Sequence, residues 1–230
     1  LFLPTTIKDV RARGWKQLDV ILFSGDAYID HPAFGAAVIG RLLEAEGYRV
    51  AIVPQPNWRD DLRDFTKLGA PRLFFGVSAG SMDSMVNHYT ANLRLRSNDA
   101  YTPGGKAGFR PDYAVKVYTQ ILKRLFPHVP VVVGGIEASL RRLTHYDYWN
   151  DSLKPSVLAE SGADLLIYGM GERVVQQVAK AMRNGYNAKL LRKLRQVAFM
   201  AGKDYVERLD PAETIRLHSY EELSLIHISE

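Results

Sequence analysis

The sequence predicts an α/β fold: a doubly wound, mostly parallel sheet with helices on both faces, a three-layer sandwich. Three observations carry this expectation. Apolar runs without alternation recur at residues 19–23, 48–53, 73–77, 129–133 and 165–168, as strands buried on both faces require. Segments with apolar residues at helical spacing lie between them. Three of the runs open into polar, glycine-containing segments, and in open α/β sheets ligands gather beyond the carboxyl ends of the strands.

The elements follow in order. Residues 19–23, DVILF, form the first strand. Residues 36–46, AAVIGRLLEAE, form a helix that closes on Gly47. The second strand, 48–53, is stopped by Pro54 and Pro56. Asn57 is placed to cap a helix over 58–68 that ends at Gly69. Residues 73–77 are the third strand. Beyond the long polar segment, 112–126 is a helix with Ala114, Val117, Tyr118, Ile121, Leu122 and Leu125 as its apolar stripe and Pro111 and Asp112 at its start. Strand four spans 129–133, a short helix 156–161, strand five 165–168 and a further helix 172–182. A last strand is expected at 197–200. Repeated strand–helix units imply right-handed crossovers.

A chain of 230 residues, 47% hydrophobic and 24% charged, fits one soluble α/β domain with appendages. No apolar run approaches the ~20 residues of a membrane span, and a cytoplasmic location is the expectation. There is no cysteine, which excludes disulfides, zinc–thiolate sites and any iron–sulfur cluster held by this chain's own thiolates. The net charge is +5. Lys189, Arg192, Lys193 and Arg195 crowd one segment, but a solvated face is favoured over nucleic-acid binding.

Several catalytic readings fail on the residues. Gly76-Val77-Ser78-Ala79-Gly80 matches the G-x-S-x-G elbow, yet no distinctive acid and histidine pair follows it in triad order. Neither G-x-G-x-x-G nor a P-loop follows the first strand. No histidine pair has the spacing of a helical metal site, so a catalytic metal is not expected. Arg94, Arg96, Arg141 and Arg142 share their loops with Asp83, Asp99, Glu137 and Asp147, and internal pairing is favoured over a clamp for an acidic substrate.

Four stretches, GDAYIDHPAFGAAVIGRLLEAEGYRV, PRLFFGVSAGSMDSMVNHYTANLRLRSNDAYTPGG, VVVGGIEASLRRLTHYDYW and ADLLIYGMGER, occur in that order. Together they closely resemble the N-terminal region of the YgiQ-type radical SAM proteins, from Leu3 to about Tyr220. The resemblance implies a Rossmann-like domain akin to the cobalamin-binding domains that precede some radical SAM barrels. It also implies a 4Fe-4S cluster and S-adenosylmethionine bound outside this chain, by a downstream radical SAM domain. On this reading 1–183 is the Rossmann-like domain, with insertions at 92–111 and 140–155, and 184–223 is a connector. Leu1-Phe2-Leu3-Pro4 opens without methionine, so the extreme N-terminus is expected to be missing. Residues 224–230, SLIHISE, resemble translated sequencing adapter, and this tail, with His227, carries no functional weight.

Cobalamin domains of this kind commonly carry Asp-x-His-x-x-Gly after the first strand. Here Asp30 and His31 are adjacent and Gly35 lies four beyond the histidine, so histidine ligation of cobalt is not supported. Gly134-Gly135 does resemble the glycine pair that admits the corrin tail, which keeps cobalamin as a lesser alternative. The leading expectation is an accessory domain that caps the downstream active site and helps to form a substrate or cofactor pocket. Asp26, Asp30, His31, Ser78, Asp83, Asn87, His88 and Tyr101 would line one wall, with Glu137, Arg141, Arg142, His145 and Tyr146 opposite. His31 reads also as a metal ligand or acid–base group, with a loop histidine bonded to Asp26 or Asp30 favoured over that, while His88 reads equally as a satisfied interior histidine and Tyr146 as packing beside Tyr148 and Trp149. The rival is a structural interaction module whose polar loops pair internally without a ligand. An open cleft with uncompensated arginines would favour a site; a closed, satisfied network would favour the module.

Overall fold

The computed structural model describes residues 2–206 and 208–226. His227 and the end of the tail lie outside the described residues, as does the side chain of Lys189. The strands are β1 (Val20–Ser24), β2 (Val50–Pro54), β3 (Phe74–Ser78), β4 (Val131–Val133), β5 (His145–Asp147), β6 (Ser152–Lys154), β7 (Leu165–Ile167) and β8 (Val197–Ala198). The helices are α1 (Ile7–Ala12), α2 (Gly35–Ala45), α3 (Arg63–Thr66), α4 (Ser84–His88), α5 (Ala114–Leu125), α6 (Gly135–Leu140), α7 (Val157–Ser161), α8 (Glu172–Arg183), α9 (Lys203–Val206) and α10 (Tyr220–Ile226).

The main sheet runs β2-β1-β3-β4-β7-β8. The first five strands are parallel, with Leu22 of β1 facing Ile52 on one side and Gly76 on the other. β8 closes the edge antiparallel to β7, Leu166 opposite Ala198. The chain moves one way from β1 to β2 and the other way from β3 onward. The crevice beyond β1 and β3 is therefore the topological switch point, where open sheets of this kind bind ligands.

Every residue of β1 is buried because both faces are covered. On one face Phe23 stacks on Phe65 of α3 at 5.2 Å and meets Phe75 edge-on at 5.8 Å, with Tyr118 and Leu122 of α5 completing the layer. On the other, Val20, Leu22 and Val132 pack with Leu43 of α2 and Val175 and Val178 of α8. The doubly wound sandwich expected from the sequence is present.

Local differences have physical reasons. The helix expected over 58–68 shrinks to the single turn α3. Asn57, Asp60 and Asp61 each accept a hydrogen bond from the amide two residues on, so side-chain oxygens take the place of helical carbonyls. Leu62 then adopts φ 58°. α1 was not expected; it starts from a capping box in which Thr6 and Asp9 bond each other's backbone amides. β5 and β6 form a separate antiparallel hairpin inside the 140–155 insertion. Beyond Asn184 the chain remains on the domain as far as β8, with Leu191 buried.

Candidate functional site

The loops after β1 and β3 meet at a buried ion cluster. Gly25 and Gly80 admit this meeting: a Cβ at Gly25 would overlap the Ala79 carbonyl, and one at Gly80 (φ 108°) would overlap the Asp26 carboxylate. Asp26 accepts from the Ser81 amide at 2.6 Å and from Arg110 at 2.8 Å. Arg110, fully buried, also donates to the Ala79 carbonyl at 2.6 Å and to Asp99 at 3.3 Å. Burial pushes the Asp26 carboxyl above its ordinary range despite the opposing pull of Arg110. Tyr101 sits beside this cluster, its ring 6.0 Å from the Arg110 guanidinium and edge-on to Phe34.

A second network locks α4, α5 and α6 together. Asp83 caps α4 through the Met85 and Val86 amides and pairs with buried Arg141. Glu137 lies wholly inside: one oxygen accepts from the Val115 amide at 2.9 Å, the other from the Ser84 amide at 2.8 Å and the Ser84 hydroxyl. Burial raises the Glu137 carboxyl. Asp147 accepts from the Tyr113 hydroxyl at 2.7 Å and from the Trp149 and Asn150 amides. Burial and Asp147 together raise the Tyr113 hydroxyl. Of the pairings expected among these loops, Arg141 with Asp83 forms. Asp99 instead takes Arg110, Glu137 takes backbone amides, and Arg142 donates to the Ser139 carbonyl and covers the Tyr168 ring.

Beside these networks lies an apolar cavity of about 270 Å³. It opens between α2 and α8 over β1, β3 and β4, at the switch point. Leu22, Gly76 and Val132 form its floor, with Ala36 and Ile39 of α2 and Val175 of α8 as walls. Ser78, Gly80, Gly134, Gly135, Gly169 and Gly171 also line it, bringing backbone close to any occupant. Ser78 supplies a hydroxyl, and Glu172 is the one ionisable side chain among the lining residues. An apolar cavity of roughly 150 Å³ takes benzene, so this one has room for a larger apolar group.

The sequence-predicted residues thus divide. Ser78, Gly134 and Gly135 line the cavity; Asp26, Asp83, Glu137 and Arg141 lie in the buried networks. Asp30 pairs with Arg41, whose hydrogen bonds hold its carboxyl below the usual range. His31 is exposed and its Nδ1 accepts from the Ala33 amide at 3.1 Å. His145 Nδ1 lies 3.1 Å from the Leu143 carbonyl, and exposed Tyr146 donates to Asp151. Asn87 and His88 line a different cleft, with His88 Nδ1 2.6 Å from Asp112. Arg110 escaped sequence reasoning, because a single arginine in GFRPD carries no mark of burial. The described residues hold no group of three or more His, Cys, Asp or Glu placed for a metal ion. No helix of the described residues is long and apolar enough to cross a membrane.

Comparison with known proteins agrees with the motifs. A family model described as Radical SAM N-terminal matches residues 2–227. A UPF0313 protein of Porphyromonas gingivalis is 68% identical over 202 residues, covering 88% of this chain and 32% of that protein. UPF0313 proteins of Bacteroides thetaiotaomicron and Thermotoga maritima are 60% and 51% identical, covering 96% and 97% of this chain and 37% and 38% of their own lengths. The chain therefore spans about a third of the length of these relatives. Among solved structures, the radical S-adenosylmethionine methyltransferase TsrM from Kitasatospora setae, with tryptophan substrate and a SAM analog bound, aligns over 73% of this chain and 26% of its own. Its TM-score is 0.46 and its identity 21%. On the family match and these relatives, the chain belongs to the radical SAM N-terminal family.

Proposed function

We propose that this chain is the N-terminal accessory domain of a radical SAM enzyme, and that its cavity between α2 and α8 receives the apolar part of a substrate or cofactor. The observation that carries this reading is the cavity's place: about 270 Å³ of apolar space at the switch point, lined by Ser78, Gly134 and Gly135. The reacting centre belongs to the remainder of the protein. This chain has no cysteine to offer a 4Fe-4S cluster, so cluster and S-adenosylmethionine would be held by a downstream domain. No histidine lines the cavity, so a corrinoid seated there would receive no imidazole from this chain's cavity wall.

The cavity mouth is where a catalytic domain would dock. Ser139 Oγ accepts from the Gly169 amide at 3.2 Å, which brings Met170 beside α6. Ile136 and Leu140 of α6 and Met170 are all exposed, although large apolar side chains favour cover. A domain covering them would close the cavity. The buried networks behind it hold the rim in place.

The test uses the full-length protein, purified without oxygen and reconstituted with iron and sulfide. Absorption spectra with iron, sulfide and corrinoid analysis come first, then the Ala36→Phe variant, which fills the cavity from a half-buried helix position. Iron–sulfur absorption without corrinoid, with substrate turnover lost in Ala36→Phe while the circular dichroism is kept, supports a substrate pocket. Corrinoid bands that disappear in Ala36→Phe assign the cavity to the cofactor. Absence of a cluster after reconstitution, or an Ala36→Phe variant indistinguishable from the parent, overturns the reading.

A further inference from the structure

A second cleft, of about 400 Å³, lies on the α5 side of the sheet and shares no lining residue with the cavity between α2 and α8. Trp58 and Arg59 enter it from the segment after β2, Asn87 and His88 from α4, Arg96 from the following loop and Asp112 from just ahead of α5. Its volume falls in the range of small-molecule sites.

The charges here do not balance. Asp112 is engaged by His88 at 2.6 Å and by the Tyr89 hydroxyl at 2.9 Å, and Asp99 by Arg110. Arg59 lies 4.6 Å from the Trp58 ring, and Arg96 donates through Nε to the Tyr89 carbonyl. Among the described residues neither guanidinium has a carboxylate partner. Asn87 Nδ2 and His88 Nε2 are buried without a hydrogen-bond partner in the same wall. Buried polar atoms in native proteins are almost always satisfied, so these two call for a partner, whether a water, an ion or a ligand group.

We propose that this cleft binds the phosphate-monoester group of a small molecule. Arg59 and Arg96, neither of them paired to a carboxylate, leave the cleft positive overall and give two donors for the charge of about −1.5 to −2 that a phosphate monoester carries near neutral pH. Each presents a planar fork suited to phosphate oxygens. A carboxylate, or the internal phosphodiester of a nucleic acid, offers two free oxygens per group, where a phosphate monoester offers three to be shared between the two forks. Trp58, with Arg59 over its ring, adds an aromatic side chain to the cleft wall. The site goes beyond the cavity reading and stands independently of it, since binding can be measured without turnover.

Isothermal calorimetry on the full-length protein, at about pH 7.5, would compare phenyl phosphate, inorganic phosphate, benzoate and a short single-stranded oligonucleotide. Phenyl phosphate is expected to bind at least tenfold tighter than benzoate. Arg59→Gln and Arg96→Gln, both at exposed positions, should each weaken it at least tenfold. Arg94→Gln, exposed but outside the cleft, should leave it unchanged. No heat from either phosphate probe at millimolar concentration, equal affinity for benzoate, or arginine variants that bind like the parent would overturn the proposal. An oligonucleotide that binds more tightly than phenyl phosphate through Arg59 and Arg96 would replace it with a nucleic-acid surface.

Discussion

Arg110 donates to Asp26 at 2.8 Å with both side chains shut off from solvent, joining positions 84 residues apart. The pair ties the loop after β1 to the segment before α5, and Arg110 adds the loop after β3 through the Ala79 carbonyl. Arg110→Met would leave Asp26 and Asp99 as buried carboxylates without a cation. Breaking a buried pair from one side costs about 3–5 kcal/mol, measurable by urea denaturation at pH 7. The loss should shrink at acid pH, because the stranded Asp26, already raised by burial, would take up a proton in the folded state. An unchanged urea midpoint would refute this role.

Much of the architecture was legible because it rests on local pattern. The apolar runs of β1, β3 and β4 are short, bounded by polar or glycine residues, and read as strands covered twice, and the stripe of Tyr118, Ile121 and Leu122 fixes the face that α5 buries. The place of the cavity was legible too, since Ser78 closes β3 and Gly134-Gly135 follow β4 directly. Its shape was not, because it depends on the gap between α2 and α8, which are far apart in sequence. The 57–66 segment misled because Asn57, Asp60 and Asp61 offer side-chain acceptors that compete with helix. The pairing of loop charges was beyond reach for a related reason. Composition shows that acids and arginines balance, but only the packed loops decide that Asp99 meets Arg110 rather than Arg94 or Arg96.

Asp19 should set an acid limit on stability. Burial alone would raise its carboxyl, but hydrogen bonds from the Arg49 side chain and backbone and from Arg72 outweigh it and lower its pKa from 3.8 to about 2. A depressed carboxyl stabilises the fold above its unfolded pKa and loses that contribution as pH falls through the folded one. Asp19→Asn is therefore expected to cost roughly 2 kcal/mol at pH 7. The two proteins should converge between about pH 4 and pH 2. Parallel denaturation curves across that range would show that Asp19 is not the titrating group.

Glu137→Gln separates charge from hydrogen-bond geometry. The substitution removes a buried negative charge, which by itself would help. Yet both Glu137 oxygens accept backbone amides, Val115 on one and Ser84 on the other. A glutamine amide must set N–H₂ against one of those N–H groups and leave it unpaired. The expected result is a loss of about 1–3 kcal/mol, the cost of an unsatisfied buried donor. A stabilised variant in urea denaturation would mean that relief of the charge dominates.

Gly80 tests whether the meeting of the β1 and β3 loops depends on a missing side chain. Its φ of 108° disfavours any L residue, and a Cβ would overlap the Asp26 carboxylate. Gly104, at φ 70°, has no atom within 4 Å of a built Cβ and isolates the backbone cost alone. Gly104→Ala is expected to cost about 1 kcal/mol. Gly80→Ala should cost about 3 kcal/mol or more, because moving Asp26 also strips Arg110 of a partner. The decisive comparison is Gly80→Ala made in an Asp26→Ala background. There the overlap is gone, and the penalty should fall toward the Gly104 value. An equal penalty in both backgrounds would assign it to backbone strain, and the carboxylate's position would no longer explain why glycine stands at 80.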